Sequence, residues 1–154
     1  MKRAQLVFAV VVAIVLTLGS LGVASAQETT AQENISAAAK RFVLTDVKPS
    51  NGDTSNVSSS TVVRATFNRT LDASSVRRNF TLTDLSTGKK VSATVDVNGE
   101  TARLKPKSDL KRGNRYEATL ASGVRSKSGD HLDSVDGSGA DFSGGEVTWR
   151  FRVS

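Results

Sequence analysis

Val147-Thr148-Trp149-Arg150-Phe151-Arg152-Val153 alternates apolar and polar residues without a fault over seven positions. A strand sends successive side chains to opposite faces, so this pattern directs Val147, Trp149, Phe151 and Val153 into a core and Arg150 and Arg152 to solvent. The same period recurs upstream. Residues 90–97 put Val91, Ala93, Val95 and Val97 on one face, and residues 115–120 do so with Tyr116, Ala118 and Leu120. Between two such runs, Asn98-Gly99 suits a type I′ turn whose two central residues both take positive φ, and this pairs residues 90–97 with 100–105. Further strands are expected at 42–47, 61–67 and 79–84, with Pro49 and Pro106 just past strand ends, where a missing N–H is tolerated. One helical signal stands out, a single turn at Asp72-Ala73-Ser74-Ser75-Val76 with Asp72 as its cap.

Short strands separated by turn signals exclude βαβ units and predict an all-β fold. Seven strands in about 113 residues match an immunoglobulin-like β-sandwich in number and size. The chain of 154 residues contains no Cys, so the Cys…Trp…Cys core of antibody domains is absent. The same lack excludes disulfides, thiolate nucleophiles, iron–sulfur clusters and lipid attachment at an N-terminal Cys. A single His, His131, excludes His-rich zinc sites.

The N-terminus has the three-part layout of a secretory signal peptide. Lys2 and Arg3 give a positive start, an apolar run extends from Leu6 to Leu18, and Ala24-Ser25-Ala26 supplies the small residues before a cut at Gln27. The competing reading is an uncleaved anchor, since residues 6–23 approach the roughly 20 apolar residues that a bilayer needs. The organisation is therefore a signal peptide at 1–26, a polar linker at 27–41 and a β-sandwich domain at 42–154. Removal of Lys2 and Arg3 leaves 19 basic and 15 acidic residues. Export without disulfides suits a bacterial envelope, and a secreted or cell-surface location is expected. Asn-x-Ser/Thr triplets at Asn34, Asn56, Asn68 and Asn79 are glycan acceptors only in a host with the machinery.

Several pieces in a fixed order carry a family resemblance. They are residues 47–52 (VKPSNG), Thr66-Phe67-Asn68 followed by 71–76 (LDASSV), and 79–82 (NFTL). After them come Leu104-Lys105-Pro106, 110–116 (LKRGNRY), 123–132 (GVRSKSGDHL) and the closing Thr148-Trp149-Arg150-Phe151. Together they resemble the bacterial Ig-like domain of the SbsA (S-layer protein) type. The resemblance implies a β-sandwich spacer or accessory module on surface and exported proteins, and it brings no catalytic residues. Residues 133–146 form a longer loop than the family pattern needs.

No enzyme constellation emerges from the residues. His131 lies in a Ser-Lys-Ser-Gly-Asp-His loop with no Gly-x-Ser-x-Gly elbow, and no carboxylate pair is placed across a cleft. Calcium is the one cofactor the sequence offers. Residues 130–146 carry Asp130, Asp133, Asp136, Asp141 and Glu146 without a Lys or Arg, and Asp133, Asp136 and Asp141 are its candidate ligands, although the spacing is not that of an EF-hand.

Positive charge is concentrated elsewhere. Residues 103–127 hold eight basic residues against Asp109 and Glu117. Arg103 and Lys105 alternate with Ala102 and Leu104, as Arg150 and Arg152 do with Trp149 and Phe151, so these four are expected to form an outward basic face for anionic cell-envelope polymers. Surface proteins are the other possible partners. With no aromatics interleaved to stack bases, nucleic acid is excluded, and a membrane partner requires an uncleaved signal segment. The second functional class is a carbohydrate-recognition or hydrolase accessory module, with Trp149 and Tyr116 as a stacking platform. Their apolar phase instead places both in the core, with the Tyr116 hydroxyl tying a corner.

Cleavage has a direct check. N-terminal sequencing of protein recovered from culture medium should begin at Gln27, whereas an intact Met1 found only in membranes would establish an anchor.

Overall fold

The computed structural model describes residues 41–154, so the signal segment, the linker before Arg41 and Asn34 lie outside the described residues. Two five-stranded sheets face each other around one apolar core. The strands are β1 (Phe42–Lys48), β2 (Val63–Phe67), β3 (Phe80–Asp84), β4 (Lys89–Lys90), β5 (Ala93–Asn98), β6 (Thr101–Pro106), β7 (Arg115–Leu120), β8 (Leu132–Val135), β9 (Asp141–Ser143) and β10 (Glu146–Arg152). A short helix, α1 (Ala73–Asn79), joins β2 to β3. The first sheet runs β5-β6-β2-β1-β8 and the second β4-β3-β7-β10-β9. Pairing is antiparallel except between β1 and β8. The expected all-β immunoglobulin-like sandwich is confirmed.

The alternation in β10 does what its period requires. Val147, Trp149 and Val153 are fully buried and Phe151 nearly so, while Arg150 and Arg152 are exposed. Trp149 packs against Phe80 with ring centroids 5.8 Å apart, and Tyr116 stacks on Phe151 at 5.9 Å. In the other sheet Phe42 stacks on Phe67 at 5.2 Å. The Tyr116 hydroxyl accepts the Lys111 backbone N–H at 2.8 Å, which ties the corner between β6 and β7. Burial pushes the Tyr116 phenol above its ordinary value, since the charged form would lose its hydration.

Three expectations change in detail. The run at 90–97 is not one strand, because β4 pairs with β3 in the second sheet and β5 pairs with β6 in the first. The chain crosses between the sheets at Val91-Ser92, and Val91, Ala93, Val95 and Val97 stay half-buried against the core. The turn after β5 also differs. Asn98 pairs directly with Thr101, so Gly99 and Glu100 are its central residues. Gly99 has φ 58° and Glu100 does not share a positive φ, which is the type II′ arrangement rather than I′. The hairpin is pinned from outside, as the Glu100 and Gly99 carbonyls accept the Phe67 and Leu71 N–H groups at 2.9 Å.

The third change concerns residues 133–146, which are not a long loop. β8 adds to the first sheet beside β1, and β9 adds to the second beside β10. One segment thereby covers an edge of each sheet. Its apolar residues are too few and too interrupted to show a period, since only Leu132, Val135, Ala140 and Phe142 pack on the core. Pro106 is the last residue of β6 rather than past its end, opposite Ala93, and Pro49 follows β1 by a cis peptide bond.

The helix extends the expected turn to seven residues. Asp72 accepts the Ser74 N–H at 3.0 Å and the Ser74 hydroxyl at 2.9 Å, and Val76 is buried beneath it.

The Trp149 indole N–H is buried without a hydrogen-bond partner among the described residues. Emptying this site with Trp149→Ala should destabilise the fold by about 3–5 kcal/mol in urea melts. Trp149→Phe keeps a ring beside Phe80 and removes the unpaired donor, so its loss should be about 1–2 kcal/mol. Equal losses for the two variants would show that a ring beside Phe80 contributes nothing at this site.

Candidate functional site

Each sequence-predicted cation projects outward from its strand, but the four do not share a face. Arg103 and Lys105 are exposed on β6 in the first sheet, and Arg150 and Arg152 on β10 in the second. The inward side chains of each sheet fill the core between them, so the outward ones point in opposite directions. The single basic face expected from the sequence is therefore two faces.

On the first sheet the strand register adds residues that sequence spacing could not reveal. Lys48 of β1 pairs with Arg64 of β2, Arg64 pairs with Arg103 of β6, and Arg103 pairs with Asp96 of β5. Three cations thus stand abreast on adjacent strands, spaced by about 4.8 Å per strand. Lys105 lies two residues further along β6, on the same face. Like charges directly opposite on a sheet repel, so the row works against folding rather than for it. Lys48 has Asp46 beside it at 3.8 Å, both well exposed. Arg64, Arg103 and Lys105 make no ion pair among the described residues. The missed residues, Lys48 and Arg64, sit far from Arg103 in sequence. Their polar phase was visible, but their partner strands were not.

The second sheet treats its cations differently. Arg150 Nε donates to Glu117 Oε2 at 2.7 Å, directly across from it on β7. Arg152 Nε donates to the Gly113 carbonyl at 3.0 Å, and its cross-strand partner is Arg115. A recess of about 190 Å³ lies between these three arginines and the Gly52-Asp53-Thr54 turn.

The candidate calcium ligands are not gathered. Among the described residues no three acidic or imidazole side chains come close enough to hold a metal ion. Asp133 Oδ2 accepts the Phe42 N–H at 3.1 Å, and so fastens the start of β1 to β8. Asp141 lies on β9 opposite Thr148, in the other sheet, and Asp136 follows β8 with its N–H donating to the Leu44 carbonyl. Splitting the segment between two sheets separates Asp141 from Asp133 and Asp136. Asp130 belongs to a structural knot instead, where it accepts from Ser126 Oγ at 2.8 Å and from Arg69 Nη1 at 2.7 Å.

His131 is exposed, with its Nε2 at 2.6 Å from Arg125 Nη1. Trp149 and Tyr116 are buried to 0% and 2% exposure, so neither offers a face to a sugar ring. A groove of about 510 Å³ opens between β3, β4 and β5, with Arg77, Lys90 and Lys107 on its rim. Of the sequons, Asn56 is exposed with φ 62°. Asn68 Nδ2 donates to the Arg41 carbonyl and Asn79 Nδ2 to that of Ser75, both at 2.8 Å.

Residues 38–153 match the family model of the bacterial Ig-like domain. The chain belongs to that family. The Ig-like domain is similar to the structure of surface layer protein SbsC, domains 1–6, with a TM-score of 0.55 and 22% identity, covering 82% of this chain and 16% of that one. It is also similar to the crystal structure of CopC from Methylosinus trichosporium OB3b, with a TM-score of 0.54 and 21% identity, covering 74% of this chain and 94% of that one. At these identities both likenesses show the fold alone. No curated protein matches the chain. The expected bacterial Ig-like domain is thus confirmed as the family, and the S-layer protein shares its fold.

Three carboxylates in this Ig-like domain are held below their ordinary value of 3.8. For Asp130 the Ser126 hydroxyl is the main cause, with Arg69 adding to it against some desolvation. For Asp72 it is the Ser74 hydroxyl and N–H. At Asp84 burial acts in the opposite direction, but hydrogen bonds from Asn114, Ser86 and Thr87 together outweigh it. A carboxyl whose folded pKa is depressed adds stability that is complete above the unfolded value and vanishes as pH falls through the folded one. Urea midpoints should therefore hold steady down to about pH 5 and fall below pH 3.8. Asp130→Asn should lower the midpoint at neutral pH and flatten that acid limb. Parallel pH curves for the two proteins would show that the Ser126–Asp130–Arg69 knot adds nothing to stability.

Proposed function

We propose that this domain is a non-catalytic module of the bacterial envelope that binds anionic wall polymers through the outer face of its first sheet. The observation that carries this reading is the row Lys48, Arg64 and Arg103 abreast in register, extended by Lys105, in which two arginines have no ion-pair partner among the described residues. A polymer with repeated negative charges would relieve the mutual repulsion that the sheet itself leaves in place. Arginine forks match the paired oxygens of phosphate and carboxylate groups alike, and teichoic acids are wall polymers that repeat such a group along their length. Family membership and the S-layer neighbour support a surface or extracellular setting.

The accessory carbohydrate module is the weaker reading. Its aromatic platform is inside the core, and a neutral sugar gains little from a row of guanidinium groups.

Binding to poly(glycerol phosphate) should weaken steeply as salt is raised, because the exposed charges are screened over about 8 Å at physiological ionic strength. A cation near an anionic surface contributes about 1 kcal/mol, so Arg64→Gln with Arg103→Gln should weaken low-salt binding about 30-fold. The melting temperature should stay the same or rise, since the substitution removes cross-strand repulsion. Salt-insensitive binding, or none at low salt, would leave only a spacer role for the domain.

A further inference from the structure

The arginines of the second sheet lie on the opposite side of the sandwich from the polymer-binding row. The sheets are about 10 Å apart, and the two sets of side chains project away from each other. Their charged ends are therefore separated by more than the screening length of about 8 Å, so each face acts as an independent electrostatic site. A polymer strand lying on one face does not reach the other.

The second face has the features of an anion site of its own. Arg115 and Arg152 stand directly opposite each other on β7 and β10, both exposed. Arg152 commits only its Nε, to the Gly113 carbonyl, which leaves its terminal nitrogens without a protein partner among the described residues. Arg115 makes no ion pair among the described residues. Of the nearby acids, Glu117 is paired with Arg150, while Asp53 also lines the recess and keeps its charge, with its Oδ2 turned to the Ser50 N–H at 2.9 Å. What remains is a pair of guanidinium groups at the wall of the 190 Å³ recess, room enough for one phosphate group and its ester oxygens.

We infer that the domain is bivalent: the Lys48–Arg64–Arg103 row holds one strand of anionic polymer, and Arg115 with Arg152 holds a phosphate group of a second strand, so that one molecule bridges two. This rests on the polymer-binding reading above and adds a second site and a cross-linking role to it. The first face, with the larger number of unpaired cations, provides most of the affinity, and the second converts binding into bridging.

The test uses the full chain with poly(glycerol phosphate), measuring affinity by fluorescence anisotropy and bridging by light scattering. With the wild type, scattering should rise as protein is added, peak at an intermediate ratio, and fall in excess protein, when every strand carries its own molecules. Arg115→Gln with Arg152→Gln should abolish the peak while changing affinity by less than about twofold, because the faces are screened from each other. Arg64→Gln with Arg103→Gln should lose both the affinity and the peak. Arg78→Gln with Lys127→Gln removes the same charge from the helix and a loop, outside both faces, and it should leave both readouts as in the wild type.

Tight binding by the wild type without a scattering peak would overturn bivalency and spare the first site. A peak reduced equally by all three double variants would also overturn it, because net charge alone would then explain the bridging. Absence of binding by the wild type would instead defeat the polymer-binding reading on which the inference stands. Circular dichroism melts of each variant identify any loss that comes from unfolding.

Discussion

Side chains on a strand must point alternately to two faces, and in this domain that constraint builds the core and exposes the charge in the same step. β10 shows both halves of it. Val147, Trp149 and Phe151 enter the space between the sheets because they occupy one phase, and Arg150 and Arg152 face solvent because they occupy the other. β6 repeats the arrangement with Ala102 and Leu104 inside and Arg103 and Lys105 outside. A one-residue slip would bury two cations in either strand and expose two apolar side chains in β6 or three in β10. The hydrophobic effect that fixes the core therefore also fixes the positions of the basic groups.

The core is continuous and rich in rings, and its polar exceptions are tied down. The Tyr116 hydroxyl takes up the Lys111 N–H at the corner between the sheets, and Asp84, almost fully buried, accepts from Asn114 and from the turn that follows β3. Buried polar groups that are paired in this way restrict where the loops can sit. The Ser126–Asp130–Arg69 knot does the same near the start of α1. Among the described residues no ion pair restrains Arg64, which has cations on both sides, or Arg103, which stands between Arg64 and Asp96. A fold that pairs its buried carboxylate and its corner hydroxyl but leaves adjacent exposed cations facing each other has placed repulsive charge at the surface, where a ligand can reach it.

Much of this was legible from local pattern. The phases of β10, β7 and β6 assigned Trp149, Phe151, Tyr116 and Leu104 to the core, and Asp72 announced α1, because alternation and capping are properties of neighbouring residues. The two short strands inside residues 133–146 were not legible. A strand of three or four residues with one or two apolar positions has too little period to be seen, and it forms because β1 and β10 present free edges to it. The Asn98-Gly99 pair signalled a hairpin correctly but misplaced its centre by one residue, since the register that buries Val97 and Ala102 brings Asn98 opposite Thr101.

The sequence by itself determined that this is an all-β Ig-like domain, which side chains fill its core and which cations face solvent, because each of those follows from period two along a single strand. Which cations stand together was decided only by the tertiary structure. Arg64 and Arg103 are 39 positions apart in the chain and become neighbours through the pairing of β2 with β6. Arg103 and Arg150 share a phase but end on opposite sides of the sandwich. Face membership depends on which sheet a strand joins, and that is set by long-range backbone pairing that no local pattern encodes.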